Sequence, residues 1–351
     1  MLIKSFTSAL LFALILQYSF AQDTVKVSTL AGLDNNAEKI YNSGIAKFAS
    51  KDFKGAIEDF NQAITMNAAF DKAFFNRGIV KNEMKDVKGA IEDYTQALTI
   101  NDTCAQCYFS RGQAKYSTGD KAGASGDYGK TVERNPMHAQ AYYYRGGIKY
   151  EEKDYKGALA DFDKAIQIKT DYAYAYNDRG SAKRELDDID GATADYKKAT
   201  ELNKDMAFSY SNLGSMLRRK EDYKGAIAAY DNALRVKESY LAYNNRGSAK
   251  YDAGDYQGAV DDFTKSIRMK VDYSMAYNNR GAAKFKLKDY QGAISDYNKA
   301  IQLNSKYGFA FLNRGMAKEL IRDQVGACSD WNQAVQLGVE QGKNYLMDCK
   351  K

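Results

Sequence analysis

Four cysteines, one histidine and a periodic set of arginines are the residues of this chain that could do chemistry. Cys104 and Cys107 form a C-x-x-C pair, and at the start of a helix the dipole there would favour a thiolate. Nothing around the pair has the strand–helix pattern of a redox enzyme. The choice therefore lies between a local disulfide and two partly buried thiols, not catalysis. Residues 124–131, Ala-Ser-Gly-Asp-Tyr-Gly-Lys-Thr, end like a loop whose glycines aim backbone N–H groups at phosphates. That motif requires a strand before it and a glycine where Ala124 stands. Here it falls inside a helical pattern weakened by Gly123, Gly126 and Gly129, so no nucleotide site is expected. His138 is the only histidine, which leaves neither a His-based metal site nor a Ser-His triad within one chain. No catalytic residue, metal or cofactor is expected, and the chain is read as a non-enzyme.

The arginines pose a sharper question. Arg77, Arg111, Arg145, Arg179, Arg246, Arg280 and Arg314 are each followed four residues later by a lysine, from Lys81 to Lys318, on one helix face. Such a stripe could track phosphates. An aspartate, however, precedes an aromatic ring at Asp93, Asp161, Asp262, Asp296 and equivalent places, and the one segment without it has Ala229 there and Leu213 in place of the arginine. Joint loss within one chain indicates that the two residues pair, because a guanidinium forks onto a carboxylate when partly buried. A formal charge of only +6 over 351 residues also argues against nucleic acid as a partner.

What positions these residues is a repeat. Glycines at 44, 78, 112, 146, 180, 214, 247, 281 and 315 fall 34 residues apart, with a single interval of 33. A Gly-Ala pair follows each at constant offset, from Gly55-Ala56 to Gly326-Ala327, and two small patches per repeat imply two helices in close contact. An aspartate precedes each second helix, from Asp52 to Asp323, where it can accept from the free N–H groups of the first turn. A ring lies four residues after each small alanine, from Phe60 through Tyr94 to Trp331, on the alanine's face. One proline in the whole chain suits helices joined by short turns. The reading is an all-α solenoid.

With the first glycine of each repeat numbered position 8, the pattern resembles the tetratricopeptide repeat. It has an aromatic at position 4 (Phe74, Tyr108, Tyr142, Tyr277), glycine at 8, alanine at 20, an aromatic at 24 and usually alanine at 27, over nine repeats in residues 35–341. Two departures stand out: the proline of position 32 occurs only as Pro136, and position 7 is mostly arginine instead of leucine. The resemblance implies a right-handed superhelix of helical hairpins whose concave groove is lined by the first helix, A, of each repeat. It implies that position 6 faces that groove, where Asn42, Asn76, Asn212, Asn245, Asn279 and Asn313 stand, and amides can pair with a peptide backbone. Position 5 runs from Tyr41, Phe75, Phe109 and Tyr143 to Asn177, Asn244 and Asn278, suggesting an aromatic grip in the first half and a peptide track in the second. Arg184, Arg218 and Arg219 are expected to project towards the groove and bind a carboxylate. Residues 342–351 look like a tenth helix A, with Tyr345 at position 4. A bond from Cys349 to Cys328 would pin it as an end cap.

Residues 1–21 read as a secretory signal: Lys4, an apolar run from Leu10 to Leu16, and Ser19-Phe20-Ala21 before a cut. Residues 22–34 would be a flexible lead-in. The expectation is an exported, periplasmic or extracellular scaffold or adaptor that holds a protein or peptide partner in its groove. A structural component using convex or end-to-end contacts and a carbohydrate- or peptidoglycan-binding module are the alternatives.

Overall fold

The computed structural model describes residues 35–346 and Cys349; the expected signal segment and lead-in lie outside the described residues. Among the described residues there are helices and no strand. The chain divides into two compact units with the boundary between Asp102 and Thr103. The first holds two hairpins: α1 (Asn35–Ala49) with α2 (Phe53–Met66), and α3 (Asp71–Glu83) with α4 (Val87–Ile100). The second begins with α5 (Ala105–Ser117), α6 (Lys121–Arg134), α7 (Ala139–Glu151), α8 (Tyr155–Ile168), α9 (Ala173–Glu185), α10 (Ile189–Leu202), α11 (Ala207–Arg219) and α12 (Tyr223–Val236). It continues through α13 (Tyr240–Asp252), α14 (Tyr256–Met269), α15 (Ser274–Lys286), α16 (Tyr290–Leu303), α17 (Gly308–Leu320) and α18 (Gln324–Gln336) to the short α19 (Gly342–Leu346). Odd-numbered helices up to α17 are the A helices, and even-numbered ones are the B helices.

Each hairpin is set by the same local chemistry. The aspartate before every B helix accepts from the N–H of the glycine three residues on, as Asp86 does from Gly89 at 2.9 Å and Asp289 from Gly292 at 2.9 Å. This satisfies a first-turn donor that the helix cannot satisfy itself. The residue before each aspartate turns the chain through positive φ: Gly119 and Gly254 in two repeats, but Lys51, Lys85, Lys153, Asp187, Glu221, Lys288 and Arg322 in the others. The hairpin then closes on the position 8 glycine. A Cβ at Gly78 would sit 2.7 Å from the Tyr94 ring, so the glycine is what admits the ring. The alanines flanking the ring, such as Ala158 and Ala165 around Phe162, are fully buried.

Within each unit, each hairpin packs on the next through its B helix and the following A helix. Next-but-one helices also touch where they are A helices: α1 with α3 in the first unit, and α7 with α9, α11 with α13, α13 with α15 and α15 with α17 in the second. Within each unit the A helices are therefore the closely spaced inner layer and the B helices the outer one. Trp331 is fully buried at the end of the second unit, under Tyr345 of α19, whose ring stacks on it at 5.0 Å. Disulfides join Cys328 to Cys349 and Cys104 to Cys107.

Candidate functional site

The arginine stripe is consumed by structure. Arg246 puts Nε and Nη2 on the two oxygens of Asp262 at 2.8 and 2.6 Å, and Lys250 reaches the same carboxylate at 2.9 Å. The same triad is built from Arg77, Lys81 and Asp93, from Arg145, Lys149 and Asp161, and from Arg314, Lys318 and Asp330. Its aspartates are nearly inaccessible, 1% exposed at Asp262 and 3% at Asp330. Each guanidinium also lies over the ring of position 4, such as Tyr243 at 5.5 Å and Tyr277 at 5.6 Å. Its third arm crosses to position 25 of the preceding repeat: Arg77 to Asn61, Arg179 to Asp163, Arg246 to Asp231, Arg280 to Thr264 and Arg314 to Asn298. In the sixth repeat Leu213, Leu217 and Ala229 replace all three members, and Lys197 stands at position 25 before it. These arginines are staples within and between repeats, not a phosphate track.

Position 5 is the main correction to the sequence reading. Phe109, Tyr143, Asn177, Asn244 and Asn278 are buried beneath the A-helix face, exposed by 7% at most. Phe109 packs on Tyr128 and His138, and Tyr143 on Phe162 and Tyr172. The half-buried Tyr41 packs on Phe60 and Phe70, and Phe75 on Tyr94. The reason is the helical turn: position 5 points at the following repeat, and its polar atoms meet position 6 there. Tyr41 Oη accepts from Asn76, and Tyr143 Oη donates to Asp178 at 2.8 Å. Asn177, Asn244 and Asn278 accept from Asn212, Asn279 and Asn313, each at 3.1 Å. Asn278 and Asn244 in turn donate at 3.4 Å to Asn279 and Asn245. Five amides from Asn313 to Asn245 thus form one ladder across three repeats. Asn212, Asn245, Asn279 and Asn313 remain partly exposed on the inner face, but Asn212, Asn279 and Asn313 spend an N–H on the neighbouring repeat. Asn42 is exposed in the first unit.

The arginines expected to take a carboxylate already have acids. Arg218 Nε bonds Asp252 at 2.5 Å, Arg219 bonds Asp187 at 2.6 Å, and Arg184 bonds Glu185 at 2.7 Å with its guanidinium also 3.4 Å from Tyr150 Oη. A depression between α11 and α13 is lined by Ser215, Arg218, Arg219, Tyr230, Asn245 and Asp252. Asp178 holds position 6 in the fifth repeat. Burial pushes its carboxyl up to about 6, against the opposing pull of Asn177 and Tyr143, which donate to it. His138 caps α7, with Nδ1 accepting from the Ala141 N–H at 3.2 Å, and burial lowers its pKa. Cys104 caps α5 in the same manner, its sulfur accepting from the Cys107 N–H. Among the described residues no group of three or more His, Cys, Asp and Glu side chains could hold a metal, and no helix is long and apolar enough to cross a membrane.

Sequence reasoning missed position 2, one turn before the asparagines on the same face. From the fifth repeat on it is apolar or aromatic: Tyr174, Phe208, Leu241, Met275 and Phe309. The last four are exposed by 39%, 45%, 46% and 52%. In the first four repeats the column reads Glu38, Lys72, Gln106 and Gln140. Reading that column alone would have exposed the change.

Models described as tetratricopeptide repeat match residues 109–173, 177–239, 240–272 and 274–307, together more than half of the chain. No curated protein shows significant similarity to the sequence. Among solved structures, the C-terminal part of a TPR repeat-containing protein from Cytophaga hutchinsonii is 18% identical, covers 67% of this chain and 98% of its own, and superposes with a TM-score of 0.56. A tetratricopeptide repeat protein from Parabacteroides merdae is 18% identical over 71% of this chain and 99% of its own, with a TM-score of 0.50. The APC/C hetero-tetramer Cut9–Hcn1 is 14% identical over 91% of this chain and 77% of that one, with a TM-score of 0.54. At such identities the likeness shows the fold alone. Paired helices closed by a glycine and a ring, repeated at a fixed interval and matched by these models, make this chain a member of the tetratricopeptide repeat family.

Proposed function

We propose that the chain is an exported, non-catalytic scaffold that holds a protein partner against the A-helix face of its second unit. The observation that carries this reading is the contrast between columns. Positions 5, 7, 8, 20, 23 and 24 are spent on packing and ion pairs, whereas positions 2 and 6 of consecutive A helices keep side chains accessible. A repeated array that keeps two side-chain columns accessible on successive A helices suits recognition of a partner. The apolar leader at residues 1–21 supports export, and two disulfides suit an oxidising compartment.

Affinity capture with residues 22–351, read by mass spectrometry, tests the reading when two variants run alongside. Phe208→Arg with Met275→Arg alters the A-helix face. Val325→Arg with Met269→Arg alters B helices, where Val325 is 85% and Met269 49% exposed. The captured partner is expected to be lost in the first variant and kept in the second. The opposite result would transfer the function to the B helices and to a structural role.

A further inference from the structure

We infer that Asp178 seats a cationic side chain of the partner, the ammonium of a lysine or the guanidinium of an arginine, in an opening between α7 and α9 that Gly147 keeps clear. This rests on the scaffold reading above and names one subsite within it. Its ground is a carboxylate that the fold does not ask for. Position 6 is an amide in six repeats, Ser110 and Tyr144 in two more, and an acid only at Asp178. Asp178 meets Tyr143, the position 5 residue of the preceding repeat, whose Oη donates to Oδ2 at 2.8 Å. The first unit contains the same contact in neutral form: Tyr41 also stands at position 5, and Asn76 donates to its Oη at 2.6 Å. An asparagine would therefore complete the joint at 178, and it would avoid the cost of holding a charge in a half-buried place.

The charge has no counterpart in the chain. Asp178 makes no salt bridge among the described residues, and Arg184, further along α9, is paired with Glu185. An ionised carboxylate has about four acceptor sites, and Tyr143 and Asn177 each fill one, on different oxygens. Each oxygen keeps a site for a further donor. The ionisable groups that face Asp178 are phenols: Tyr143 from α7, Tyr174 one turn before it on α9, and Tyr196 from α10. Burial raises all three, so they stay neutral wherever Asp178 titrates. From α11, Ser209 and Asn212 reach the neighbouring Asn177 and carry no charge. With no cation to offset it, burial pushes the Asp178 carboxyl up to about 6. A cation from outside supplies the missing charge.

The surroundings suit such a guest. Tyr174 shares Asp178's face of α9, where its ring can flank an ammonium or a guanidinium. On α7, Gly147 stands one turn after Tyr143 in mid-helix, where glycine weakens the helix. Packing does not require it: a Cβ there would meet nothing within 4 Å. Other repeats carry Ile45, Ile79, Gln113, Ser181 and Ser215 at the same position. The glycine thus leaves space on the stripe of α7 that carries Tyr143, the residue in contact with Asp178. An acid and a glycine that the fold does not need lie on facing helices, linked through one tyrosine.

The test uses residues 22–351, which hold all the described residues, with n-butylammonium and n-butylguanidinium chlorides as probes of the two side chains. Carbon-13 NMR of aspartate carboxyls and tyrosine rings reads binding, the Asp178 signal being identified by its loss in Asp178→Asn. At pH 7.5 the cations should move the Asp178 carboxyl and Tyr143 ring signals saturably, whereas sodium chloride and n-butanol at equal concentration should not. The tighter probe assigns lysine or arginine. About a tenth of Asp178 is ionised at pH 5, so apparent affinity there should be about tenfold lower. Asp178→Asn should abolish the Tyr143 response, which separates Asp178 from the titration of His138 at the start of α7. Gly147→Gln, which fills the opening with the residue the third repeat carries, should weaken binding by about fivefold or more. An unlowered melting temperature confirms that each variant folds. A Tyr143 response equal in parent and Asp178→Asn, a response to n-butanol as strong as to the cations, or no response at all overturns the inference. So does full binding in Gly147→Gln, which would put the cation elsewhere. Each of these leaves the scaffold reading standing, because partner capture and its Phe208/Met275 variant test that reading separately.

Discussion

At the scale of single residues, the buried Arg–Lys–Asp triad is a costly way to fill space, and the chain contains its own control. The sixth repeat fills the same positions with Leu213, Leu217 and Ala229, and Leu217 packs beside the fully buried Ala226 and Ala249. Removing one partner of a buried ion pair strands the other charge at about 3–5 kcal/mol, whereas replacing the whole group by apolar side chains is often neutral or better. Asp262→Ala alone should therefore destabilise by about 3–5 kcal/mol in urea unfolding. Arg246→Leu, Lys250→Leu and Asp262→Ala together should cost under about 2 kcal/mol, the residue being the lost link from Arg246 to Asp231. A triple variant as damaging as the single one would mean that the triad contributes net stability. Asp178 gives a second prediction at this scale. Its folded-state pKa is raised, so its contribution to stability is present below the unfolded value near 4 and is lost as the pH rises through about 6. Asp178→Asn removes this dependence. Its stability relative to the parent should rise by about 2 kcal/mol between pH 4 and pH 7, and a constant difference across that range would refute the assignment.

At the scale of elements, α6 departs most from its equivalents. Gly126 and Gly129 lie inside it, and a Cβ at Gly126 would meet nothing within 4 Å, while one at Gly129 would meet only Arg145 Nη1 at 3.8 Å. Gly129 also occupies position 25, where other repeats supply the acceptor for the next arginine. Gly126→Ala should stabilise by about 0.5–1 kcal/mol from helix propensity alone. Gly129→Asn should gain a contact to Arg145 in place of most of that propensity, about 0.5–1.5 kcal/mol, and Arg145→Leu should erase that part of the gain. The helices themselves were legible because period, cap and ring each recur nine times. Asp52 to Asp323, the glycine–ring pairs and the Arg–Asp coupling inferred from Leu213 and Ala229 all stand in the structure as the spacing suggested. The candidate site was less legible. Positions 5 and 6 are adjacent in sequence, but a rotation of about 100° per residue sends one under the face and leaves the other on it. Asn177 and Asn212 look alike in the chain, and only the stacking of one repeat on the next makes the first an acceptor for the second. Composition favours amides as the binding track, whereas the accessible apolar column begins at Tyr174 and belongs to a position whose neighbours in sequence are unremarkable.

At the scale of the whole molecule, stability in a stack of repeats is close to a sum of nearest-neighbour terms, so damage at one end should stay there. The second unit offers a direct measurement. Its last repeat holds Trp331, the only tryptophan of the chain, beneath Tyr345 and beside Val339 and the Cys328–Cys349 bond. Tryptophan fluorescence therefore reports on the terminal repeat, while far-ultraviolet dichroism reports on all the helices. The bond spans 21 residues, and closing a loop of that size stabilises by about 3 kcal/mol when the native geometry is unstrained. In Cys328→Ser with Cys349→Ser, the fluorescence midpoint in urea should fall well before the dichroism midpoint, with exchange protection lost over α17 to α19 and retained in α9 to α14. Adding reductant to the parent should have the same local effect, provided Cys104→Ser with Cys107→Ser is compared under the same conditions to separate the two bonds. If both probes move together, the repeats of this unit unfold as one block, and coupling between hairpins exceeds what neighbour contacts alone provide.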